Sequence, residues 1–342
     1  MQSRSAHLGI GKHRRFGQVV STRALGRQLP VIFLAGSTAT GKTQLAIQLA
    51  AKFADESGID LVNVDAAQVY RGMDIGTAKL TKQEQATSPH QLIDIRDPSE
   101  TYDASQFRDD ALEIIKTSHE QGRIPLFVGG SLFYFSALEN GVSDLPGADE
   151  KTRAAIDEEA SKIGWGAMYE QLKAIDSDSA KRINGADQQR IQRAFEIYRL
   201  TGLKPSVAMA QSKPKRLDCP LLKFNITHPE RSVLHHKIGL RFAQMLDNGL
   251  IEEVAGLKAR GDLHLELASM RCVGYRQVWS YLQGEYDRQG MIDKSCAATR
   301  QLAKRQLTWL RNQRGQVWLD STYPKNDQII EQFLRARVPC LN

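Results

Sequence analysis

The chain has 342 residues, of which 41% are hydrophobic, so it can bury a sizeable core, and a disordered or fibrous protein is excluded. The formal net charge is +7, but residues 1–29 hold six basic residues and no acid, so the remainder is nearly neutral. Global charge therefore does not indicate a nucleic-acid partner, and four widely spaced cysteines exclude a Cys-x-x-Cys zinc pair.

The first segment, residues 1–29, has the acid-free composition of an organelle transit peptide but lacks a sustained amphipathic period. We therefore predict a disordered basic arm. No run in the sequence approaches the roughly 18 apolar residues that span a bilayer. With the cysteine pattern, this favours a protein of the reducing cytoplasm that has no membrane partner.

A phosphate-binding loop follows the arm. The apolar run 31-VIFLA-35 predicts a buried strand, and 43–54 predicts a helix. Between them, 36-GSTATGKT-43 satisfies G-x-x-x-x-G-K-[ST] in the context that this motif requires. Such a loop wraps an anion with backbone N–H groups, and its hydroxyl can bind Mg²⁺. The predicted phosphate-binding residues are Gly36, Ser37, Thr38, Ala39, Thr40, Gly41, Lys42 and Thr43, with Thr43 as the Mg²⁺ ligand.

Further strands and helices alternate after this loop. The run 59-IDLVNV-64 predicts a second strand, 105–120 a helix, and 124-IPLFV-128 a third buried strand. This alternation predicts an α/β fold, a parallel sheet of the P-loop NTPase type flanked by helices. Asp65 follows the second strand, at the edge where open sheets of this type bind ligands.

The acids at the strand ends bear on the chemistry. An NTPase usually has an Asp after an apolar strand, but 124–128 ends in 129-GGS-131. Asp65 is the nearest acidic candidate. Three roles remain open for it: general base, Mg²⁺ ligand through water, or the N-cap of a helix.

A helical insertion interrupts the core. The turn-rich 141–150 precedes charged helical segments, and we predict an inserted helical subdomain over 143–212. Within it, Asp187 caps a helix that ends at Gly202. The core would comprise 30–142 and 213–325, including a strand over 221–227 and helices over 235–249 and 295–313.

Five stretches together resemble the tRNA dimethylallyltransferases, the bacterial tRNA isopentenyltransferases. The resemblance runs from about Val31 to Asp320. Ordinary P-loop kinases have neither the second nor the last of these stretches, which are therefore more specific than the phosphate loop. The five are 36-GSTATGKT-43, 68-QVYRGMDIGTAK-79, 89-PHQLIDIRDP-98, 129-GGSLFY-134 and 271-RCVGYRQ-277.

The resemblance implies transfer of a dimethylallyl group from dimethylallyl diphosphate to N6 of the adenine on the 3′ side of the anticodon. The tRNAs are those that read codons starting with U, and diphosphate leaves. Asp65 would be the base, and Lys42, Thr43 and Mg²⁺ would hold the diphosphate with Arg241. Ser131 stands where the family has threonine and is counted as catalytic. We expect a monomer.

The resemblance also implies that the inserted subdomain binds tRNA. Spacing alone favours a solvated helix face for the arginines of 189-QRIQR-193, and the resemblance reverses this interpretation. Arg300, Lys304 and Arg311 form a second basic face that could contact RNA or solvent. We predict that Tyr275 stacks on a base and that Trp309 is a core residue. The implied tRNA-binding residues are Asp65, Ala66, Ala67, Gln68, Ser131, Arg153, Gln189, Arg190, Ile191, Gln192, Arg193, Arg271, Cys272, Val273, Gly274, Tyr275 and Arg276.

Three other functions remain open from the residues. An adenylate isopentenyltransferase would use the same donor with free AMP, ADP or ATP as acceptor. A small-molecule kinase would bind ATP at 36–43, although the acid-free 129-GGS-131 disfavours it. A non-catalytic RNA-binding protein would leave Lys42 and Asp65 without a chemical role.

Overall fold

The computed structural model describes residues 28–56 and 58–338. The predicted arm therefore lies outside the described residues, apart from its last two. The described residues divide into two compact units: one contains those up to Ser136 and those from Asp218 onward, and the other is Ala137–Leu217. The predicted insertion, 143–212, falls within the second unit.

A single sheet of six parallel strands forms the centre of the first unit, in the order β3-β2-β4-β1-β5-β6. The parallel α/β fold class and the four predicted strands are confirmed. The strands are β1 (Val31–Gly36), β2 (Ile59–Val64), β3 (His90–Gln91), β4 (Ile124–Gly129), β5 (Leu221–Thr227) and β6 (Gln316–Asp320).

The helices of the two units differ in what they surround. Those of the first unit flank the sheet, whereas α5 to α9 lie in the second unit. In chain order they are α1 (Lys42–Lys52), α2 (Lys82–Thr87), α3 (Ala104–Glu120), α4 (Leu132–Asn140), α5 (Glu150–Ile163), α6 (Trp165–Ile175), α7 (Ser177–Arg182), α8 (Gln188–Thr201), α9 (Pro205–Gln211), α10 (Arg231–Asp247), α11 (Leu250–Ala259), α12 (Tyr275–Leu282), α13 (Arg288–Arg311) and α14 (Asn326–Arg335).

The core of the first unit lies on the sheet. Every residue of β1 and β4 is buried, as expected for central parallel strands covered on both faces. The core extends beyond the predicted boundary at residue 325, because Ile330 and Leu334 of α14 pack into the same cluster as β1. The strand β6, which pairs with β5 at the edge of the sheet, was not predicted.

The second unit is a small helical body with its own apolar core, to which Ile156, Leu172 and Phe195 contribute. Its helix α8 begins and ends as predicted: the Asp187 side chain accepts from the Arg190 N–H, and Gly202 at the C-cap has a φ of +70°.

The sheet register brings three strand ends to one edge. Gly129 of β4 pairs with Ala35 of β1 on one side and with Val64 of β2 on the other. A Cβ at Gly129 would lie 2.0 Å from the Val64 carbonyl oxygen, so the close approach of β2 and β4 requires glycine. The loops that follow β1, β2 and β4 are thereby held side by side.

Gly129→Ala should lower the free energy of unfolding by about 2–3 kcal/mol, because the methyl group overlaps the neighbouring backbone. Urea unfolding at neutral pH measures this. Gly239→Ala in α10 is the control: a Cβ there meets nothing within 4 Å, so the change should stabilise the protein by about 0.5–1 kcal/mol. Equal stability of Gly129→Ala and the natural chain would contradict the account of the strand ends.

Candidate functional site

A cavity of about 720 Å³ lies within the first unit, at the carboxyl ends of β1, β2 and β4. Its wall includes the predicted residues Lys42, Thr43, Asp65, Ser131 and Arg241. The structure therefore brings together side chains that are up to 199 positions apart in the chain, counted from Lys42 to Arg241. Further wall comes from the segments 76–78 and 271–275, from Leu80 and from helices α10 and α13.

The 36–43 loop is tightly closed on itself. Gly41, at the N-cap of α1, has a φ of +79°, and Ala39 at the top of the loop has a φ of +61°. The Ser37 carbonyl accepts from the Thr40 hydroxyl at 2.8 Å and from Lys42 Nζ at 2.6 Å. At Gly36, a Cβ would lie 2.4 Å from the Ile226 carbonyl oxygen. These contacts give the loop the strand-turn-helix geometry that the motif requires.

Two half-buried cations, Lys42 and Arg241, lie in the inner wall. Burial, and then the neighbouring Arg241, lower the pKa of Lys42 to about 7, although Asp65 acts in the opposite direction. Burial also lowers the pKa of Arg241, which Asp65 partly offsets. Two cations and one carboxylate thus share a poorly solvated space, and a bound anion would stabilise the charged forms of both cations.

Asp65 is held by its own turn. Residues 66–69 form a turn, so the interpretation of Asp65 as a helix N-cap is wrong. Its Oδ1 accepts from the Ala67 N–H at 2.9 Å, as in an Asx-turn. The Ser131 hydroxyl accepts from the Ala66 N–H at 2.9 Å, which ties the loop after β4 to the loop after β2. Ser131 therefore positions the backbone next to the carboxylate.

Gln306 of α13 is a site residue that the sequence analysis missed. Its Oε1 accepts from the Thr38 N–H at 3.1 Å, and its Nε2 donates to the Gly130 carbonyl at 2.8 Å. One buried amide thus joins the phosphate loop to the end of β4. His228 makes a similar contact, with Nε2 at 3.1 Å from the Ala39 carbonyl. Neither residue belongs to a recognisable motif, so no sequence signal marks it.

Within 271–276, which was predicted to bind tRNA, the Tyr275 side chain does not lie where it was expected. This side chain is 0% exposed, and its hydroxyl donates to Glu253 at 2.5 Å, so the prediction that it stacks on a base is wrong. Burial and then Glu253 raise the pKa of Tyr275. Cys272, Val273 and Gly274 also line the cavity. Burial and then Asp65 raise the pKa of the Cys272 thiol to about 12, so the thiol is protonated and not a nucleophile at neutral pH.

Aromatic and basic side chains line the same cavity. Trp309 is half-buried in the cavity wall, so its assignment to the core is wrong. Phe133, which the analysis did not single out, lines the cavity and is 70% exposed. Arg271 and Arg305 are exposed and line it too, and Arg271 pairs with Glu266.

On α13, the predicted basic residues Arg300, Lys304 and Arg311 are exposed, and so is Arg276 on α12.

The residues predicted to bind tRNA in the second unit fall into three groups. Arg153 and Arg193 both donate to the fully buried carboxylate of Glu196, which also accepts from the Asp149 N–H. Ile191 is 0% exposed, so its side chain is a packing residue and not a contact surface. The others are accessible: Gln189 and Arg190 are exposed, and Gln192 donates to Asp157.

Mg²⁺ was predicted to bind Thr43, and the residues of the cavity wall show which oxygen ligands the protein offers to such an ion. The Thr43 residue is exposed and shares the cavity with the Asp65 carboxylate. Among residues 28–56 and 58–338, no group of three or more His, Cys, Asp or Glu could hold a metal ion. One hydroxyl and one carboxylate suit Mg²⁺, which keeps several of its waters and binds substrate phosphates.

The sequence matches a family model described as IPP transferase over residues 68–313. Two similar crystal structures are bacterial enzymes. The tRNA isopentenylpyrophosphate transferase of Bacillus halodurans is 34% identical, with a TM-score of 0.65, over 92% of this chain and 97% of that chain. For the tRNA delta(2)-isopentenylpyrophosphate transferase of Staphylococcus epidermidis these values are 30%, 0.62, 90% and 99%.

A third similar structure is that of a eukaryotic dimethylallyltransferase acting on tRNA. It is 27% identical, with a TM-score of 0.74, and the match covers 91% of this chain and 80% of that chain. Among the helices of residues 28–56 and 58–338, none has the length and hydropathy of a membrane-spanning segment.

The pKa of Lys42 predicts a proton uptake. Near pH 8 most molecules hold a neutral Lys42, and a bound diphosphate favours the ammonium form. Binding of inorganic diphosphate at pH 8 should therefore take up roughly one proton at this site, and its affinity should fall as the pH rises above 7. Calorimetry in buffers of different ionisation enthalpy measures the uptake. Lys42→Arg, which stays charged, should lose it; equal uptake by both proteins would contradict the assignment.

Proposed function

Because the chain belongs to the IPP transferase family, we propose that it transfers a dimethylallyl group from dimethylallyl diphosphate to tRNA. The acceptor is N6 of the adenine on the 3′ side of the anticodon, in tRNAs that read codons starting with U. One observation carries the proposal: the half-buried Lys42 and Arg241 share a cavity in which Asp65 supplies the one carboxylate among the described lining residues. A site for an anionic leaving group thus lies beside a candidate base.

The proposed reaction is a substitution at the first carbon of the dimethylallyl group. The N6 lone pair forms the new carbon–nitrogen bond, and the carbon–oxygen bond breaks with its electron pair on the diphosphate. The N6 proton passes to the Asp65 carboxylate. Lys42, Arg241 and the N–H groups of the 36–43 loop stabilise the negative charge that develops on the leaving oxygen. This use of the loop requires no ATP.

Mg²⁺ is the proposed cofactor. Thr43 would bind it directly and Asp65 through water, and when bound the ion supplies positive charge to the diphosphate oxygens. Asp65 keeps its carboxylate oriented by accepting from the Ala67 N–H, so its remaining oxygen lone pairs are available to water or substrate. The role of Ser131 in this scheme is to position the 65–67 turn.

The surface at the cavity supports a single-stranded RNA acceptor. Proteins hold unpaired nucleotides by stacking bases on aromatic side chains and contacting phosphates with basic ones. Phe133, Arg271 and Arg305 meet this description, because all three are exposed and line the cavity. We infer that Phe133 takes the stacking role that the sequence analysis gave to Tyr275. To reach Asp65, the target adenine must leave the base stack of the anticodon loop of the tRNA.

We further propose that accessible polar side chains of the second unit, Gln189, Arg190 and Gln192, contact the tRNA. Arg153 and Arg193 would contribute by holding the 146–149 segment and α8 around Glu196. Their positive charges are already paired with a buried carboxylate, so they add less to RNA affinity than free arginines would. The reaction would take place in the cytoplasm, on a monomer.

An acceptor assay tests the proposed function. The full-length protein is incubated with labelled dimethylallyl diphosphate, Mg²⁺ and unmodified tRNA that reads a codon starting with U. AMP and ATP serve as parallel acceptors, and the same tRNA with guanine in place of the target adenine is the control. Label should appear only on the unmodified tRNA that carries the target adenine. Label on AMP, or on no acceptor, would overturn the proposal.

Asp65→Asn should slow the transfer by about 10²–10⁴-fold, because an amide accepts no proton although it keeps the size and the carbonyl oxygen of the side chain. The affinity for tRNA should change by less than severalfold. Single-turnover transfer and a filter-binding assay measure the two quantities. Asp109→Asn, at an exposed position of α3, is the matched control. Full turnover by Asp65→Asn would remove its role as the base.

A further inference from the structure

Glu253 of α11 lies outside the residues assigned above to the donor or the RNA, yet its carboxylate has four hydrogen-bond donors. Oε2 accepts from the backbone N–H groups of Asp74 at 3.0 Å and Ile75 at 2.8 Å. Oε1 accepts from the Gly76 N–H at 3.2 Å and from the Tyr275 hydroxyl at 2.5 Å. Three consecutive backbone N–H groups form an anion-binding concavity, and here the protein's own carboxylate fills it.

The turn that Glu253 holds leads directly into the cavity wall. Gly76 and Thr77 line the cavity. The Thr77 carbonyl accepts from Gln68 Nε2 at 3.1 Å and from Arg241 Nη2 at 3.4 Å. Within the described part of the chain, this carbonyl is the one hydrogen-bond acceptor of Arg241. The orientation of the guanidinium therefore depends on where the turn places one backbone oxygen.

Little freedom is left in this turn. A Cβ at Gly76 would lie 2.5 Å from the Tyr275 ring, so the backbone packs directly on that ring. Behind the turn, the buried Lys79 ammonium donates to Asp74, Asp94 and the Tyr70 carbonyl. The turn can shift towards or away from Arg241 only if the Glu253 contacts change.

Arg241 contacts a backbone carbonyl, that of Thr77, and the Glu253 carboxylate contacts the turn that carries this carbonyl. The different charges of the two groups explain this arrangement. A carboxylate in direct contact with Arg241 would neutralise it and compete with a diphosphate. A neutral carbonyl orients the guanidinium and leaves its charge available. We propose that Glu253 is a positioning residue for the diphosphate donor, acting through the 74–77 turn and the Thr77 carbonyl on Arg241. This inference rests on the proposed function in assigning Arg241 to the donor.

Glu253→Gln tests the inference, since it keeps the shape but removes the charge and turns an amide NH₂ towards backbone N–H groups. The KM for dimethylallyl diphosphate and the dissociation constant of inorganic diphosphate should both rise about tenfold. The dissociation constant of tRNA, measured without donor, should stay within about twofold. Glu252→Gln, at the exposed neighbouring position, should change none of these values.

A double-mutant cycle separates positioning from a merely structural effect. If Glu253 acts through Arg241, Glu253→Gln should not weaken diphosphate binding further when Arg241→Ala is already present. An equal loss in both backgrounds, or an unchanged affinity in the single variant, would overturn the inference. Diphosphate binding needs no acceptor, so this result stands apart from the tRNA transfer assay, whose failure would instead remove the proposed function.

Hydrogen exchange shows whether the change is local. Loss of amide protection should be confined to Asp74, Ile75 and Gly76, with the β1 amides as protected as in the natural chain. Global loss of protection with a normal diphosphate affinity would count against the inference. Should Glu253→Gln fail to fold, Tyr275→Phe, which removes only the hydroxyl donor, decides the question: a smaller rise in the same KM, of about twofold, is expected, and no rise would overturn it.

Discussion

The parallel pairing of β2, β4 and β1 is the constraint on which the candidate site depends. In a parallel sheet all carboxyl ends lie at one edge, so the loops after these strands must meet there. The register is tight enough that β4 ends in a glycine against the Val64 carbonyl. Gln306 and Ser131 then join neighbouring loops by hydrogen bonds, so the phosphate loop and Asp65 are held by the same framework.

Charge within this framework explains what the cavity can hold. Lys42 and Arg241 are half-buried near one carboxylate; loss of solvent lowers the pKa of each, and Arg241 lowers that of Lys42 further. An anionic diphosphate would relieve this cost, and its departure as a leaving group draws on the same interactions. The groups that accept hydrogen bonds from the two cations are neutral backbone carbonyls. Lys42 donates to the Ser37 carbonyl and Arg241 to the Thr77 carbonyl. Apart from the Asp65 carboxylate, the charge of the two cations is therefore left for an anion that binds in the cavity.

Local pattern in the sequence predicted the frame of the fold and the inner half of the site. Long apolar runs marked β1, β2, β4 and β5, but β3 has two residues and β6 is a short edge strand that becomes recognisable only beside β5. Lys42 was predicted because it belongs to a short contiguous motif, and Asp65 because it directly follows a predicted strand. Tyr275 was misread because its partner, Glu253, lies on another helix, and Gln306 was missed because its two contacts are with distant loops. Such long-range partners leave no periodic or motif signal.

We expect one cavity to hold the diphosphate of the donor and the target adenine on opposite sides of the transferred carbon. A crystal structure with dimethylallyl thiodiphosphate, which reacts slowly, and an unmodified anticodon stem-loop tests it most directly. We expect the diphosphate to lie against Lys42 and Arg241, with the adenine N6 within about 3 Å of an Asp65 oxygen. An adenine bound elsewhere, or a diphosphate bound away from the 36–43 loop, would contradict it.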